Sequence, residues 1–245
     1  MNKKAIIISI AGKNLTKKEI KLIKLERPWG LILFKRNIES FIQLKNLISL
    51  IRKITNEKNF PIFLDEEGGH VNRLSSFLDN QNFSHKFFGD IFSIKKEISI
   101  NLYKQYIIEN AKILNKLGVN INTVPVLDIS NKNTSKVLKN RVYSSNKNTI
   151  KTLGSLCVKL YKKNKIFTVM KHIPGHGSAS SDSHKVLPVV YKSYKDLINN
   201  DFNCFKGIQP LFAMTAHIVY KKIDPKNLGT HSQVIIGKII RKKIG

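Results

Sequence analysis

Pro61-Ile-Phe-Leu-Asp-Glu-Glu-Gly-Gly69 is a short apolar run that breaks off into three acids and a glycine pair. Too short for a helix and closed by turn residues, it reads as a buried strand ending at Asp65. The same design recurs on both sides. Upstream lie the Ile-rich run Ala5 to Ala11, stopped by Gly12, and Gly30-Leu-Ile-Leu-Phe34. Downstream lie Val119 to Asp128, made irregular by Pro125, then Ile166-Phe-Thr-Val-Met170 and Leu211-Phe-Ala-Met-Thr215. Helical patterns separate these runs. One starts at Thr16 and reaches Leu25, and another carries Ile42, Leu44, Leu47, Ile48, Ile51 and Ile54 at near-helical spacing. Further helices are expected around Ile98 to Leu117, closed by Gly118, at Thr149 to Lys163 and near Tyr194 to Phe205. Ser232 reads as the N-cap of a last helix, Val234 to Lys243, and the piece between Gly69 and Ile98 reads as loop-rich.

Alternating strands and helices predict an α/β protein with a parallel sheet and helical crossovers. No Pro/Gly/Ser-rich linker interrupts the series, so residues 1–245 are expected to form a single domain. Six β/α units fall two short of a (β/α)8 barrel, and the expected fold is a TIM-type barrel truncated after about six units.

The composition narrows the function classes. With 42% apolar and 24% charged residues the chain can bury a core, which excludes a disordered or fibrous protein. No apolar run approaches the roughly 20 residues of a membrane-spanning helix. Cys157 and Cys204 are too few and too far apart for a disulfide framework or a four-cysteine metal site. At the N-terminus a buried strand explains Ala5 to Ala11 better than a signal peptide, because no A-x-A-type cleavage site follows, and a cytoplasmic protein is expected.

The net charge of +27 suggests a nucleic-acid partner at first sight. Its make-up argues otherwise. The chain has 37 Lys but only 6 Arg, and Lys pairs such as Lys3-Lys4, Lys95-Lys96, Lys162-Lys163 and Lys242-Lys243 run from end to end. Specific readers gather basic residues on one face and lean on Arg for bidentate contacts. Dispersed lysines are a compositional bias on solvated faces, and no specific nucleic-acid partner is expected.

Candidate site residues fall at one end of successive strands: Asp65, Asp128, Lys171 with His172, and His217. In a TIM barrel the C-terminal strand ends form the active-site face, so this clustering points to a common pocket. The densest segment is Lys171-His-Ile-Pro-Gly-His-Gly-Ser-Ala-Ser-Ser-Asp-Ser-His-Lys-Val-Leu-Pro188. His172 and His176 have the spacing of a helical metal site, but Pro174, Gly175 and Gly177 forbid a helix there. The remaining readings are a loop with surface histidines and a glycine/serine loop carrying an Asp182–His184 proton shuttle. Neither metal nor cofactor is expected.

This segment resembles the K-H-[FI]-P-G-H-G…D-S-H-x-x-x-P signature of family-three glycoside hydrolases, above all their bacterial cytoplasmic β-N-acetylglucosaminidases of peptidoglycan recycling. Further matches stand in family order: Gly30 to Asn37, Leu64 to Leu74, Asn122 to Asp128, Asn140-Arg141, Met214 to His217 and Ile223-Asp-Pro225. The resemblance implies hydrolysis of terminal N-acetylglucosamine from muropeptides by a retaining mechanism, with a small carbohydrate as partner. It implies that Asp65, Arg73, Arg141, Lys171 and His172 bind the sugar. His184 is similar to the family's acid/base and Asp182 to that residue's partner, an arrangement unlike the usual pair of carboxylates. Glu66 and His70 stand where D-Q-E-G-G-R usually carries Gln and Arg.

The family's nucleophile is an Asp on the strand after Ile239-Ile-Arg-Lys-Lys-Ile-Gly245, and the sequence ends at that glycine. The expectation is an incomplete barrel without its nucleophile, so an inactive sugar-binding relative is the first rival reading. A basic nucleic-acid-binding protein is the second.

Overall fold

Six of the short apolar runs lie side by side in the computed structural model, which describes residues 2–132, 134–179 and 187–245. They are β1 (Lys4–Ile8), β2 (Pro28–Leu33), β3 (Ile62–Leu64), β4 (Ile121–Asn122), β5 (Phe167–Ile173) and β7 (Phe212–Thr215). Their spatial order is β1-β2-β3-β4-β5-β7, and every pairing is parallel. A separate two-stranded sheet joins β6 (Val189–Val190) to β8 (Val219–Tyr220). The helices are α1 (Lys17–Glu26), α2 (Phe41–Thr55), α3 (His85–Ile94), α4 (Lys96–Leu117), α5 (Lys136–Lys139), α6 (Lys147–Lys163) and α7 (Tyr194–Asn199). A π-helical segment, Val234–Ile244, follows. The sheet curls into part of a barrel, the TIM-like α/β fold that the alternation predicts.

Local chemistry sets the helix ends. Thr16 caps α1 through a reciprocal box: its hydroxyl accepts from the Glu19 amide at 3.2 Å, while the Glu19 carboxylate accepts from the Thr16 amide at 2.8 Å. Gly118 stops α4 in the left-handed region, at φ +91°, where a side chain would be strained. Ser232 caps the last segment as expected, accepting from the Ile235 amide at 3.0 Å.

Side-chain parity along the strands divides the core in two. Ile62 and Leu64 of β3 pack outward with Leu44, Leu47, Ile48 and Ile51 of α2, and with α4 and α6, in the large core between sheet and helices. Phe63, Ile121 and Val169 point the other way, into the concave face, where Trp29, Phe212 and Met214 pack on them. Trp29, Phe63 and Phe212 make an aromatic triad with centroids 5.5–6.0 Å apart. Gly30 leaves the space that Phe63 fills, since a Cβ there would come within 3.2 Å of the Phe63 ring and 2.9 Å of the Pro61 carbonyl oxygen.

Four expectations need correction. The first strand is not buried: β1 forms an edge of the sheet, so Ile6 and Ile7 are exposed despite their apolar character. The fourth strand is only two residues long, because pairing lapses before Pro125, which has no N–H to donate, and resumes as a single bridge between Val126 and Lys171. The piece read as loop-rich contains α3, whose Ser84 cap accepts from the Phe87 amide at 3.1 Å. The helix expected near Tyr194 to Phe205 ends at Asn199, and a 3-10 turn, Phe202–Cys204, follows it. Among the described residues no helix is long and apolar enough to cross a membrane.

Candidate active site

The inward parity that buries Phe63, Ile121 and Val169 continues for one more step at the C-terminal strand ends. Two residues on from each stand Asp65, Thr123 and Lys171, and they meet. The Thr123 hydroxyl donates to Asp65 Oδ1 and receives a hydrogen bond from Lys171 Nζ at 2.9 Å. Lys171 Nζ also lies 3.4 Å from Asp65 Oδ1, and Arg73 Nη2 donates to Asp65 Oδ2 at 3.3 Å. Burial opposes the Asp65 charge, but Lys171, the Thr123 hydroxyl and Arg73 together hold its carboxyl below the ordinary range. Asp65 is therefore ionised at neutral pH at the edge of an open cavity.

Beneath it sits Glu67, to which the sequence reading gave no role. Its side chain is 1% exposed and is the hub of the site. Oε1 pairs with Lys171 Nζ at 2.5 Å, and Arg141 binds bidentately, Nε to Oε2 and Nη2 to Oε1, both at 2.9 Å. Desolvation alone would raise the Glu67 pKa, yet Lys171 and Arg141 pull it far below the usual carboxylate range. Burial works against the Arg141 charge as well, and Glu67 more than reverses that effect. Two cations around one buried anion are thus fixed in space, the geometry for which the Arg fork is suited.

The turn after β3 makes this possible. Gly68 and Gly69 have φ of +78° and +64°, and a Cβ on Gly68 would lie 2.2 Å from the Phe83 carbonyl oxygen. The glycine pair lets the chain fold back so that residues 65, 67 and 73 converge. Under Arg141, the buried His85 donates from Nδ1 to the Arg141 carbonyl at 3.0 Å. Desolvation lowers the His85 pKa to about 4, so this imidazole is neutral beside the cation.

A second buried acid orders the next strand end. Asp128 Oδ2 accepts from His172 Nδ1 at 2.6 Å, and Oδ1 accepts from the His176 amide at 2.6 Å. Burial opposes its charge, but His172 and these hydrogen bonds keep Asp128 below the ordinary range. With Nδ1–H committed to Asp128, Nε2 is left as the ring nitrogen of His172 that can accept. Burial also depresses the His176 pKa, with Asp128 only partly offsetting it.

Asp65, Glu67, Arg73, Arg141, Lys171 and His172 line a cavity of about 470 Å³, together with His70, Val71, Lys136, Val137, Asn140 and Met214. All five expected sugar-binding residues therefore share one pocket. Of the other strand-end candidates, Asp128 lies buried behind His172, and His217 stands exposed beyond β7 against Thr230. Asp182 and His184 lie outside the described residues.

Residues 3–245 match the model of the glycosyl hydrolase family 3 N terminal domain. The chain belongs to glycosyl hydrolase family 3. Among curated family 3 relatives, it is 31% identical over 247 residues to the beta-hexosaminidase of Idiomarina loihiensis, covering 98% of this chain and 71% of that protein. It is 29% identical to the beta-hexosaminidase of Methylobacillus flagellatus, with 98% of this chain and 68% of the relative covered. Native NagZ from Neisseria gonorrhoeae superposes with a TM-score of 0.89 at 28% identity, over 99% of this chain and 71% of that one. A second structure of that enzyme, in complex with N-trifluoroacetyl-D-glucosamine, gives a TM-score of 0.88 at 28% identity, over 99% of this chain and 72% of that one.

Family 3 membership accounts for the motifs but does not by itself reveal Glu67, Thr123 or His85. Glu66 and Glu67 stand side by side in one acidic glycine turn, and only the fold shows which of the two meets Lys171 and Arg141. Thr123 and His85 likewise work through hydrogen bonds that only the fold creates.

Proposed function

We propose that the chain forms a single barrel domain of a retaining β-N-acetylhexosaminidase that removes terminal N-acetylglucosamine from peptidoglycan-derived muropeptides in the cytoplasm. The observation that carries this reading is the Asp65 carboxylate, held ionised at the cavity wall by Thr123, Lys171 and Arg73. Sugar hydroxyls both donate and accept. An ionised carboxylate accepts hydrogen bonds from two of them, while neighbouring cations donate to the hydroxyl oxygens, and such charge-assisted bonds are worth about 1.5–3 kcal/mol each.

In this reading Asp65 and Arg73 grip the ring hydroxyls, and Arg141, Lys171 and His172 make further sugar contacts. The complex of the gonococcal relative with N-trifluoroacetyl-D-glucosamine supports a pocket of this chemistry. His184 protonates the leaving oxygen and later activates water, with Asp182 as its partner. These two roles rest on the family resemblance. Asp65 and Glu67 are engaged in ion pairs, and neither is assigned as the nucleophile.

The test is calorimetric titration of the full chain with N-acetylglucosamine. Binding is expected, and Asp65→Ala should weaken it by roughly tenfold to a hundredfold, the value of one lost charge-assisted hydrogen bond. A wild-type chain that folds but binds no N-acetylhexosamine overturns the reading.

A further inference from the structure

One buried carboxylate in the D-E-E-G-G turn is not consumed by the chemistry above. Glu66 is 1% exposed, and its carboxylate bonds to a different set of groups from Glu67. Its Oε2 accepts from the amides of Arg73, at 2.8 Å, and Leu74, at 3.2 Å. Its Oε1 accepts from Asn80 Nδ2 at 3.2 Å. The backbone of the same residue is clamped to β4: its N–H donates to Asn122 Oδ1 at 3.0 Å and its carbonyl accepts from Asn122 Nδ2 at 2.9 Å. One residue thus ties a strand end to the return of the loop that carries Arg73.

We propose that Glu66 is a positioning residue for sugar recognition, whose carboxylate fixes the backbone at Arg73 and Leu74 so that the Arg73 guanidinium reaches Asp65. The proposal rests on the sugar-binding reading and adds to it a residue outside the pocket. Arg73 meets Asp65 through a single contact at 3.3 Å, and its side chain is 27% exposed. A long, partly solvated side chain holds one such contact only if its Cα is fixed, and the Glu66 bonds to the 73 and 74 amides supply that restraint.

The residue type adds a consequence. A glutamine here would keep one oxygen for the two backbone amides and could turn its NH2 toward Asn80, whose side-chain amide would turn over to present Oδ1, so the geometry would survive without charge. Glutamate makes the clamp titratable. Desolvation raises its pKa to about 7, and the bonds from Asn80, Leu74 and Arg73 together with the Arg73 charge only partly offset it. The groups facing it are Arg73 on the loop return, Tyr106 from α4 and Tyr161 from α6, both neutral in this range, with Asp65 and Glu67 adjacent in the chain and paired to Lys171. Protonation below neutrality weakens the acceptor for the 73 and 74 amides.

The experiment measures N-acetylglucosamine affinity of the full chain by calorimetry at pH 6, 7 and 8, for wild type, Glu66→Gln and Glu66→Ala. In parallel, the 15N resonance of the Arg73 guanidinium is followed across the same range. Glu66→Ala should weaken binding about tenfold or more, the effect of losing a hydrogen bond from a charged acceptor, while Glu66→Gln stays near wild type at pH 7. Wild-type affinity should fall severalfold from pH 8 to pH 6, and Glu66→Gln should be flat. The Arg73 resonance should titrate in wild type and not in Glu66→Gln. A pH-invariant Arg73 resonance in wild type, or the same pH dependence in Glu66→Gln, overturns the proposal. If Glu66→Ala does not fold, the wild-type and Gln profiles decide alone. If wild type binds no sugar, the functional reading falls while the Arg73 resonance still tests the clamp.

Discussion

Replacing Glu67 by Gln removes one charge and changes almost nothing in shape. In the folded chain that charge is shared by Lys171, whose side chain is 2% exposed, and Arg141, at 13%. The variant leaves Arg141 without an anionic partner and leaves Lys171 only the longer contact to Asp65 at 3.4 Å. Removing one member of a buried ion pair costs about 3–5 kcal/mol, chiefly because the remaining charges stay desolvated. At a urea m-value of about 3 kcal/mol per M, fitting a chain of this size, the unfolding midpoint should drop by about 1–1.7 M with the slope unchanged. The pH dependence has a defined sign. The folded-state pKa of Glu67 lies below its ordinary value of 4.5, so its contribution is complete above that pH and is lost as pH falls below it. Wild type should therefore lose stability on acidification below about pH 4.5 more steeply than Glu67→Gln does. Urea titrations monitored by circular dichroism between pH 3 and 8 measure both quantities. A midpoint shift under about 0.3 M, equivalent to roughly 1 kcal/mol, would show that the two cations do not depend on Glu67 and would refute the hub.

Other predictions address the remaining parts of the site. Asp128→Asn should cost about tenfold in sugar affinity with little change in fold, because an amide can turn its donor toward His172 and release the tautomer that Asp128 imposes; titration calorimetry and the His172 imidazole nitrogen shifts report it. In a chain completed with the remaining third of a relative such as the Idiomarina loihiensis beta-hexosaminidase, His184→Ala should lower turnover at least about 10²-fold. Its glycosylation step should suffer less with an activated aryl glycoside than with a natural disaccharide, and equal losses would reduce His184 to a positioning role. Binding to DNA or RNA, followed by fluorescence anisotropy, should be sequence-independent and largely lost by physiological salt, as counterion release from dispersed lysines requires. Tight binding to one defined sequence at that salt would contradict the carbohydrate reading.

The parts of the fold legible in the sequence are those where pattern and burial coincide. The α2 stripe at Leu44, Leu47, Ile48 and Ile51 is both periodic and fully packed, so its reading is secure. The β1 run, equally apolar, lies at a sheet edge, and hydrophobicity alone does not distinguish an edge strand from a central one. The fourth strand illustrates the opposite failure. Its ten residues include Val, Ile and Thr in plenty, yet Pro125 withholds a donor from the ladder and the regular pairing is two residues long. Helix α3 does not show in the pattern because Gly89 sits in its middle, where it costs helix propensity. The structure supplies the reason for the glycine: a Cβ there would lie 1.7 Å from the Tyr143 carbonyl oxygen.

The site divides along the same line, between groups that touch a ligand and groups that hold them. Asp65, Asp128, Lys171 and His172 stand out as charged or basic residues at the ends of apolar runs, a contrast visible in one dimension, whereas only the family motifs point to Arg73 and Arg141. Glu66 and Glu67 show no such contrast; like Asp128 they are buried, and burial of an acid is the last thing its type suggests. Each is tolerated by a different balance. Glu67 is matched by two cations, Asp128 by an imidazole and a backbone amide, and Glu66 by two backbone amides, one amide side chain and the Arg73 charge, with no ion pair among the described residues. That ordering of partners explains their titration: two paired cations drive Glu67 far down, a histidine and a backbone amide hold Asp128 low, and for Glu66 desolvation outweighs its donors and leaves it raised. The same contrast separates the chain's abundant lysines from its scarce arginines. Most lysines sit on solvated faces where a point charge suffices, whereas Arg141 occupies the place where two parallel bonds to one buried carboxylate are required. The overall charge therefore belongs to the surface, and the chemistry depends on a few residues whose charges are balanced inside.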